Sequence, residues 1–302
     1  MEVLTAGGGF CLGITRAYRA MNERALNEAP FKVAHQNSGG EFDTLRRIES
    51  RDPALLAQYP GLGKLSVARE PAALAEGDRL VLGFHGLPEQ TKAELAARGV
   101  DLLDDLICPF IAKLDRVVER LARDGFDIAI VGKRDNHHCR EAARIAERYR
   151  RRCFVIERAD DVDALAEAGQ VALVGQVTGN TELFAEVIER IRTSNVPVKV
   201  VKTMCSDSYA RQQAAVALAR RADVMILLDD GGGAAQSVFE VCSRINPRVH
   251  RVRSKEEIRP EWFAAARAAA IVGGILVPQW SIEEAAQHVR AMARYHALAT
   301  SD

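Results

Sequence analysis

The sequence lacks any apolar run of the roughly 18 residues needed to cross a bilayer. It also lacks an N-terminal basic region followed by an apolar stretch, which is the pattern of a secretory signal. Positive and negative charges balance, with 41 Lys and Arg residues against 41 Asp and Glu residues. No excess charge of one sign therefore favours a nucleic acid or an anionic membrane as partner. We expect a cytoplasmic protein with neither of these partners.

Nucleotide-binding signatures are absent as well. The glycine runs at residues 7–9 and 231–233 lack both the Gly-Lys-Ser/Thr ending of a P-loop and the G-x-G-x-x-G spacing of a dinucleotide fold. The six cysteines contain no C-x₂-C knuckle, from which structural zinc sites usually draw two ligands. Because structural disulfides are rare in the cytoplasm, these cysteines are candidates for metal ligands or nucleophiles.

Three of the cysteines recur at equal spacing. Cys11, Cys108 and Cys205 are separated by 97 residues in both intervals. Each ends a short apolar stretch and precedes an amphipathic pattern, which predicts a strand, a cysteine and then a helix. The predicted helices cover residues 14–28, 111–123 and 208–221. Matching surroundings at a fixed period indicate an internal structural repeat.

Further short apolar runs predict three more strands in each repeat, at residues 32–34, 65–68 and 80–83, 128–131, 154–156 and 171–174, and 224–228, 249–252 and 270–272. Strands that alternate with helical patterns are typical of parallel sheets covered by helices. The sequence therefore predicts an α/β fold, a pseudo-threefold trefoil of three similar subdomains. These are residues 1–97, 98–194 and 195–302, each a small, mostly parallel four-stranded sheet with flanking helices.

The three repeated cysteines are expected to converge, because α/β folds place their sites in the loops at the carboxyl ends of parallel strands. Three thiolates suit either zinc or a [4Fe–4S] cluster. Widely spaced single ligands favour the cluster, and three ligands leave one iron free to act as a Lewis acid. Cys153 and Cys242 are expected in the core, while Cys139 follows two histidines and is a candidate fourth ligand.

Several motifs then resemble those of the LytB-type reductases, namely Gly9-Phe10-Cys11-Leu12-Gly13-Ile14, His85-Gly86, Cys108-Pro109, and Cys205 followed by Arg211-Gln212. The resemblance spans nearly the whole chain. It implies a trefoil of three α/β subdomains and a [4Fe–4S] cluster. It also implies reductive removal of the allylic hydroxyl of 4-hydroxy-3-methylbut-2-enyl diphosphate, with electrons from a ferredoxin or flavodoxin.

The positions expected to grip the diphosphate differ from the pattern of the family. The differences fall at Ser38-Gly39-Gly40, at residues 132–139, at Val177, at Gly232-Gly233-Ala234 and at Leu276. Each lost hydrogen bond to a charged oxygen is worth about 1.5–3 kcal/mol. A diphosphate needs many such donors, although the glycine amides at residues 231–233 would offer partial compensation as an anion-binding nest.

We therefore expect an iron–sulfur oxidoreductase that removes a hydroxyl from a different small substrate, with Cys11, Cys108 and Cys205 as metal ligands. The candidate catalytic residues are His85, His137 and His138, and the candidate substrate-binding residues are Gln176, Thr178, Ser208, Gly232 and Gly233. One alternative is the ordinary diphosphate reductase with a rebuilt pocket. A non-catalytic electron-transfer or sensing protein and a zinc hydrolase are the others.

Overall fold

The computed structural model describes residues 1–6, 8–34, 43–70, 73–82, 86–87, 89–104, 106–194 and 196–299. The chain divides into a smaller compact unit, Phe10–Ala112, and a larger one, Met1–Gly9 together with Lys113–Asp302. Among the residues described, no helix is both long and apolar enough to cross a membrane.

Strands and helices alternate along most of the chain. In chain order they are β1 (Glu2–Thr5), α1 (Leu12–Asn27), β2 (Lys32–Ala34), α2 (Asp43–Glu49), α3 (Pro53–Gln58), β3 (Ser66–Ala68), β4 (Arg79–Val81), α4 (Glu89–Ala97), β5 (Asp101–Leu103), α5 (Pro109–Arg123), β6 (Asp127–Val131), α6 (His137–Arg148), β7 (Cys153–Ile156), β8 (Val171–Gly175), α7 (Thr181–Thr193), β9 (Val198–Val200), α8 (Ser206–Ala219), β10 (Val224–Leu228), α9 (Gly233–Ser243), β11 (Val249–Val252), β12 (Ala268–Gly273) and α10 (Gln279–Ala299). Short 3₁₀ helices cover Pro60–Lys64, Ala159–Glu167, Lys255–Glu257 and Pro260–Phe263.

The smaller unit contains one parallel sheet with the strand order β3-β2-β4-β5. Its core includes Leu80 and Leu82, at and just after β4, and Leu95 of α4. Helix α1 is amphipathic and buries the face that carries Ile14 and Tyr18, as expected for a helix that covers an apolar core.

The larger unit contains two parallel sheets, with the orders β7-β6-β8-β9 and β1-β12-β10-β11. Every residue of β6, β8 and β10 is buried. Apart from Asp127 at the start of β6, these strands therefore appear in the sequence as continuous apolar runs, as parallel strands covered on both faces do. The carboxyl ends of β6, β8 and β10 lead into residues 132–136, 176–180 and 229–232, which carry most of the predicted site.

Three parallel four-stranded sheets with flanking helices confirm the predicted α/β fold class. Membership of the sheets differs from the expected grouping in one respect, because the strand before each repeated cysteine joins the sheet of the preceding repeat. Thus β5 pairs with β4, β9 with β8, and β1 with β12. A helix between two successive strands returns the chain parallel to and beside the strand that it left, as α4 does for β5. The compactness of the three predicted subdomains stays a prediction.

Candidate functional site

Two of the three repeated cysteines lie together in the smaller unit. Cys11 caps the N-terminus of α1, and its Sγ accepts a hydrogen bond from the backbone N–H of Ile14 at 3.5 Å. Cys108 directly precedes α5, and its carbonyl accepts the N–H of Ala112 at 3.0 Å. Both sulfurs therefore lie at the start of a helix, where backbone N–H groups point outwards and favour negative charge.

Gly13 leaves open the space between these two sulfurs. A Cβ at this position would lie 3.1 Å from Cys108 Sγ and 3.8 Å from Cys11 Sγ. Both thiols are unbonded to other cysteines and half-buried. Arg16 donates to the carbonyl of Ile107 at 3.4 Å and so ties α1 to the segment before Cys108. Two thiols beside one small unfilled space fit as ligands of a shared metal cofactor.

Cys205, the third repeated cysteine, lies in the larger unit at the N-cap of α8. Its N–H donates to the carbonyl of Val177 at 2.8 Å, so its backbone is tied to the loop after β8. Two residues earlier, the Thr203 hydroxyl accepts the N–H of Gly175 at 2.9 Å and donates to its carbonyl at 2.7 Å. This hydroxyl continues the pairing with the end of β8 beyond Val200, where β9 itself ends.

No group of three or more His, Cys, Asp or Glu side chains suited to a metal ion occurs in the part of the chain that the structure describes. The pair Cys11 and Cys108 is the observation that bears on a cofactor. That Cys205 shares it with them stays a prediction.

A second cluster, of polar groups, lies in the larger unit around Gly233, the first residue of α9. A Cβ at Gly233 would lie 3.2 Å from Asn136 Nδ2, 3.3 Å from Gln176 Nε2 and 3.8 Å from Thr178 Oγ1. Two amide nitrogens and one hydroxyl thus surround a space at a helix N-terminus, where the first backbone N–H groups have no intrahelical acceptor. We call these three side chains with Gly233 the donor cluster. It brings together three of the predicted substrate-binding residues, Gln176, Thr178 and Gly233.

The glycine loop before α9 is held by its own acidic residues. Gly231 N donates to Asp229 Oδ1 at 2.9 Å, and Gly232 N donates to Asp230 Oδ1 at 2.8 Å. The other oxygen of the buried Asp230 accepts the N–H of Leu276 at 2.9 Å. Two amides of the expected anion-binding nest are therefore already bonded to carboxylates, which reduces the compensation that the nest offers to a diphosphate.

Lys133, whose backbone N–H bonds to Gln176 of the donor cluster, has its charged side chain paired with Glu240. The Lys133 ammonium lies 3.0 Å from Glu240 Oε1. The same carboxylate accepts hydrogen bonds from Asn180 and Gln236. Burial alone would raise the pKa of Glu240, but these donors outweigh it and lower the pKa. Lys133 is therefore a paired cation rather than a surplus positive charge.

His137 and His138 begin α6 with their ring centroids 4.0 Å apart. Asn136 caps this helix, because its Oδ1 accepts the N–H of His138 at 2.9 Å. Burial, and secondarily the charge of Arg140, lowers the pKa of His137 from 6.5 to about 4. His137 is therefore a neutral imidazole near pH 7, which weakens its candidacy as a cationic proton donor.

Ser208, another predicted substrate-binding residue, is buried and accepts a hydrogen bond from Gln212 Nε2 at 3.3 Å. The same amide donates to the carbonyl of Gly179, and its oxygen accepts both the N–H and the hydroxyl of Thr181. Gln212 thus joins α8 to the loop after β8, and Ser208 belongs to this structural bridge. His85 and Ser38-Gly39-Gly40 lie outside the described residues.

Of the remaining cysteines, Cys242 lies in the core as expected and Cys153 is half-buried at the start of β7. Sequence analysis missed Asn136, although an Asn directly before a helical pattern is an N-cap signal. It also missed the pairing of Lys133 with Glu240, for which the sequence holds no local signal because the two residues are far apart in the chain.

Comparisons with known proteins give a consistent result. A family model described as "LytB protein" matches residues 3–290. A protein of Aquifex aeolicus described as 4-hydroxy-3-methylbut-2-enyl diphosphate reductase is 26% identical over 289 residues, covering 95% of each chain. A protein of Geotalea daltonii with the same description is 25% identical over 293 residues, covering 97% of this chain and 98% of the relative.

Solved structures share the fold. A structure of (E)-4-hydroxy-3-methyl-but-2-enyl diphosphate reductase aligns with a TM-score of 0.58 and 24% identity, covering 96% of this chain and 100% of the other. The corresponding reductase from Plasmodium falciparum aligns with a TM-score of 0.76 and 15% identity, covering 94% of this chain and 86% of the other.

Proposed function

The chain belongs to the LytB family and is an oxidoreductase, and from that premise we propose that it is an iron–sulfur reductase of 4-hydroxy-3-methylbut-2-enyl diphosphate. This was the alternative in the sequence analysis, which favoured a different substrate. The family match over residues 3–290 supports the ordinary substrate instead, because relatives along almost the whole chain carry that description.

We further propose that Cys11, Cys108 and Cys205 hold a [4Fe–4S] cluster. The observation that supports it is the pair of half-buried thiols on either side of the space at Gly13. When bound, such a cluster supplies electrons one at a time and Lewis acidity. In the overall reaction two electrons and two protons convert the C–OH bond of the substrate into C–H and release water. A ferredoxin or flavodoxin would deliver the electrons.

The residues of the larger unit would bind and orient the substrate. Gln176 Nε2, Asn136 Nδ2 and Thr178 Oγ1 would donate to its oxygens beside the N-terminus of α9, where the helix dipole also favours an anionic group. Because His137 is neutral near pH 7, it would donate through a neutral ring N–H and not as an imidazolium. His85 and His138 remain proposed participants in proton transfer.

A second candidate function is reduction of a less highly charged small molecule. One observation favours it. Around the donor cluster the side-chain donors are neutral, Lys133 is paired with Glu240, and Asp230 engages an amide of the glycine loop. A diphosphate carries several negative charges and is best bound by charged donors, whereas a carbonyl or carboxylate oxygen is satisfied by amides and a hydroxyl.

Anaerobically purified protein tests both proposals. Iron and acid-labile sulfide are measured per chain, and turnover of the diphosphate is followed with a strong chemical reductant. We expect iron and sulfide in equal amounts, their loss in Cys11→Ser and Cys108→Ser variants, and reduction of the diphosphate. Cys242→Ser is the matched control, because that cysteine is buried in the core.

Zinc without iron or sulfide would exclude the reductase. A loaded cluster that neither turns over the diphosphate nor changes its EPR spectrum when the diphosphate is added would exclude the ordinary substrate. In that case, spectral changes with uncharged or singly charged allylic alcohols would support the second candidate. A spectrum indifferent to all of them would support an electron-transfer or sensing role.

A further inference from the structure

Gln176, a member of the donor cluster, is held in one orientation. It is 2% exposed, and its Oε1 accepts the backbone N–H of Lys133 at 3.0 Å. A backbone N–H can only donate, so the atom of the carboxamide that faces it has to be the oxygen. The NH₂ group is then turned the other way, to the space at Gly233.

Cys139 contacts the same oxygen. Its Sγ lies 3.8 Å from Gln176 Oε1 with geometry for a hydrogen bond from the thiol, and its side chain is fully buried. Burial raises the pKa of Cys139 to about 12. The thiol therefore keeps its proton at neutral pH and can act as a donor, although a thiol is a weak one.

The close approach of these two side chains depends on Gly132. A Cβ at this position would lie 2.6 Å from Gln176 Oε1 and 2.8 Å from Cys139 Sγ, both too short for real contacts. With no side chain there, the thiol and the carboxamide pack directly on the backbone at the end of β6. The carboxamide oxygen thus contacts a backbone donor and a thiol beside the glycine, so that rotation of the carboxamide plane would break the bond from Lys133.

We propose that Cys139 is a positioning residue, which holds the Gln176 carboxamide so that Nε2 is presented to the substrate at the donor cluster. The identity of the substrate in this proposal rests on the proposed function, whereas the contact between Cys139 and Gln176 does not depend on it. It also gives Cys139 a different role from the fourth metal ligand considered in the sequence analysis, since a ligand thiol has to be deprotonated.

Kinetics of three variants test the positioning. Cys139→Ala removes the donor. Cys139→Ser keeps a hydroxyl on a shorter bond, which can bond to Gln176 Oε1 only if the two side chains move closer together, because an O–H···O bond spans about 2.5–3.0 Å. Cys242→Ala is the control for losing a buried thiol elsewhere. With Cys139→Ala we expect KM for the diphosphate to rise about fivefold, the equivalent of about 1 kcal/mol for one hydrogen bond. The kcat should be nearly unchanged, because the bond is made in both the ground and transition states. Cys242→Ala should keep the KM of the parent protein, and Cys139→Ser should restore it in part.

A spectroscopic measurement on the metal-free protein tests the contact without substrate. The infrared S–H stretching band of Cys139 is isolated as the difference between the parent protein and Cys139→Ala. A hydrogen bond to an amide oxygen lowers the frequency of this stretch. We therefore expect the band to move to higher frequency in Gln176→Leu and to stay in place in Gln212→Leu, where another buried glutamine is removed.

The possible results distinguish a failure of the role of Cys139 from a failure of the proposed function. An unmoved S–H band in Gln176→Leu, or an unchanged KM in Cys139→Ala, overturns the role of Cys139. A rise in KM with Cys242→Ala as large as that with Cys139→Ala also overturns it, because the loss of any buried thiol would then explain the effect. If the parent protein does not reduce the diphosphate, the proposed function fails, and the infrared result alone decides on Cys139.

Discussion

Replacement of Gly13 by alanine tests the proposed cofactor site independently of the stability of the fold. Gly13 is the second residue of α1 and its φ lies outside the left-handed region, so alanine can adopt the backbone conformation. Alanine is more favourable than glycine in a helix, by about 0.8–1 kcal/mol in the interior and by less in the first turn, where Gly13 lies. The metal-free protein should therefore unfold at the same or a slightly higher temperature.

The added methyl group should act on the metal-bound state alone. It would lie 3.1 Å from Cys108 Sγ, and one of the two has to move by a few tenths of an ångström. In the metal-free protein the thiol can rotate to another staggered rotamer. A ligating sulfur has no such freedom, so an overpacking cost of about 1–3 kcal/mol falls on metal binding. This corresponds to about 5- to 150-fold weaker binding.

The assay measures iron and acid-labile sulfide per chain after anaerobic reconstitution at limiting iron, together with thermal unfolding of the metal-free protein. Gly169→Ala is the matched control, because a Cβ there meets nothing within 4 Å. We expect normal loading in the control and reduced loading in Gly13→Ala. Loading equal to that of the parent protein would show that Cys11 and Cys108 do not share a cofactor. A less stable metal-free Gly13→Ala variant would show instead that the crowding affects the fold.

Three further predictions concern buried ionisable groups. Because burial lowers the pKa of His137 from 6.5 to about 4, only the unfolded chain takes up its proton in that range. The free energy of unfolding should fall by about 3 kcal/mol as the pH drops from about 6.5 to 4. In His137→Gln the free energy of unfolding, measured by chemical denaturation, should depend less on pH over this range. Burial raises the pKa of Cys139 and Cys242 from 9.0 to about 12. The free energy of unfolding should therefore fall above pH 9 by about 1.4 kcal/mol per thiol and pH unit. Alanine at either position should make this fall with pH less steep when the free energy is measured by urea titration at each pH. Asp230→Asn leaves only one oxygen for two backbone donors, so the urea midpoint should drop by the equivalent of about 1–3 kcal/mol; an unchanged midpoint would contradict the bracing role of this carboxylate.

The sequence is sufficient to predict most strands and helices because the signals are local. Residues 224–228 and 249–252 form strands at the predicted bounds. Apart from Asp127 at the start of β6, the strands β6, β8 and β10 carry no charged side chain, as expected for strands covered on both faces. Pairing is different, since β1 bonds to β12 at the other end of the chain. A strand's own residues specify that it is a strand, but its neighbour is chosen by the packing of the whole sheet.

In the candidate site, too, some features can be predicted from the local sequence and others cannot. The repeat predicts a helix shortly after each of Cys11, Cys108 and Cys205, beginning at residues 14, 111 and 208, and the helices begin two residues earlier, directly after each cysteine. The contact of Cys139 with Gln176 could not be predicted, because it joins the first turn of α6 to the residue after β8 and requires the missing side chain of Gly132. The same holds for Asp230, whose second oxygen bonds to Leu276 in a distant loop.

Three glycines have one property in common that explains how such sites fit into a packed fold. Gly13, Gly132 and Gly233 have no φ in the left-handed region, so their backbone conformation does not require glycine. In each case the space of the absent Cβ borders functional atoms: two thiols, a thiol with an amide oxygen, and the donor cluster. These glycines therefore provide room rather than conformational freedom. At Gly13 and Gly233 a Cβ would lie 3.1 Å or more from its neighbours, and alanine there should impair ligand or cofactor binding before it impairs folding. At Gly132 a Cβ would also lie 2.7 Å from the Cβ of Gln176, so alanine there should destabilise the fold as well.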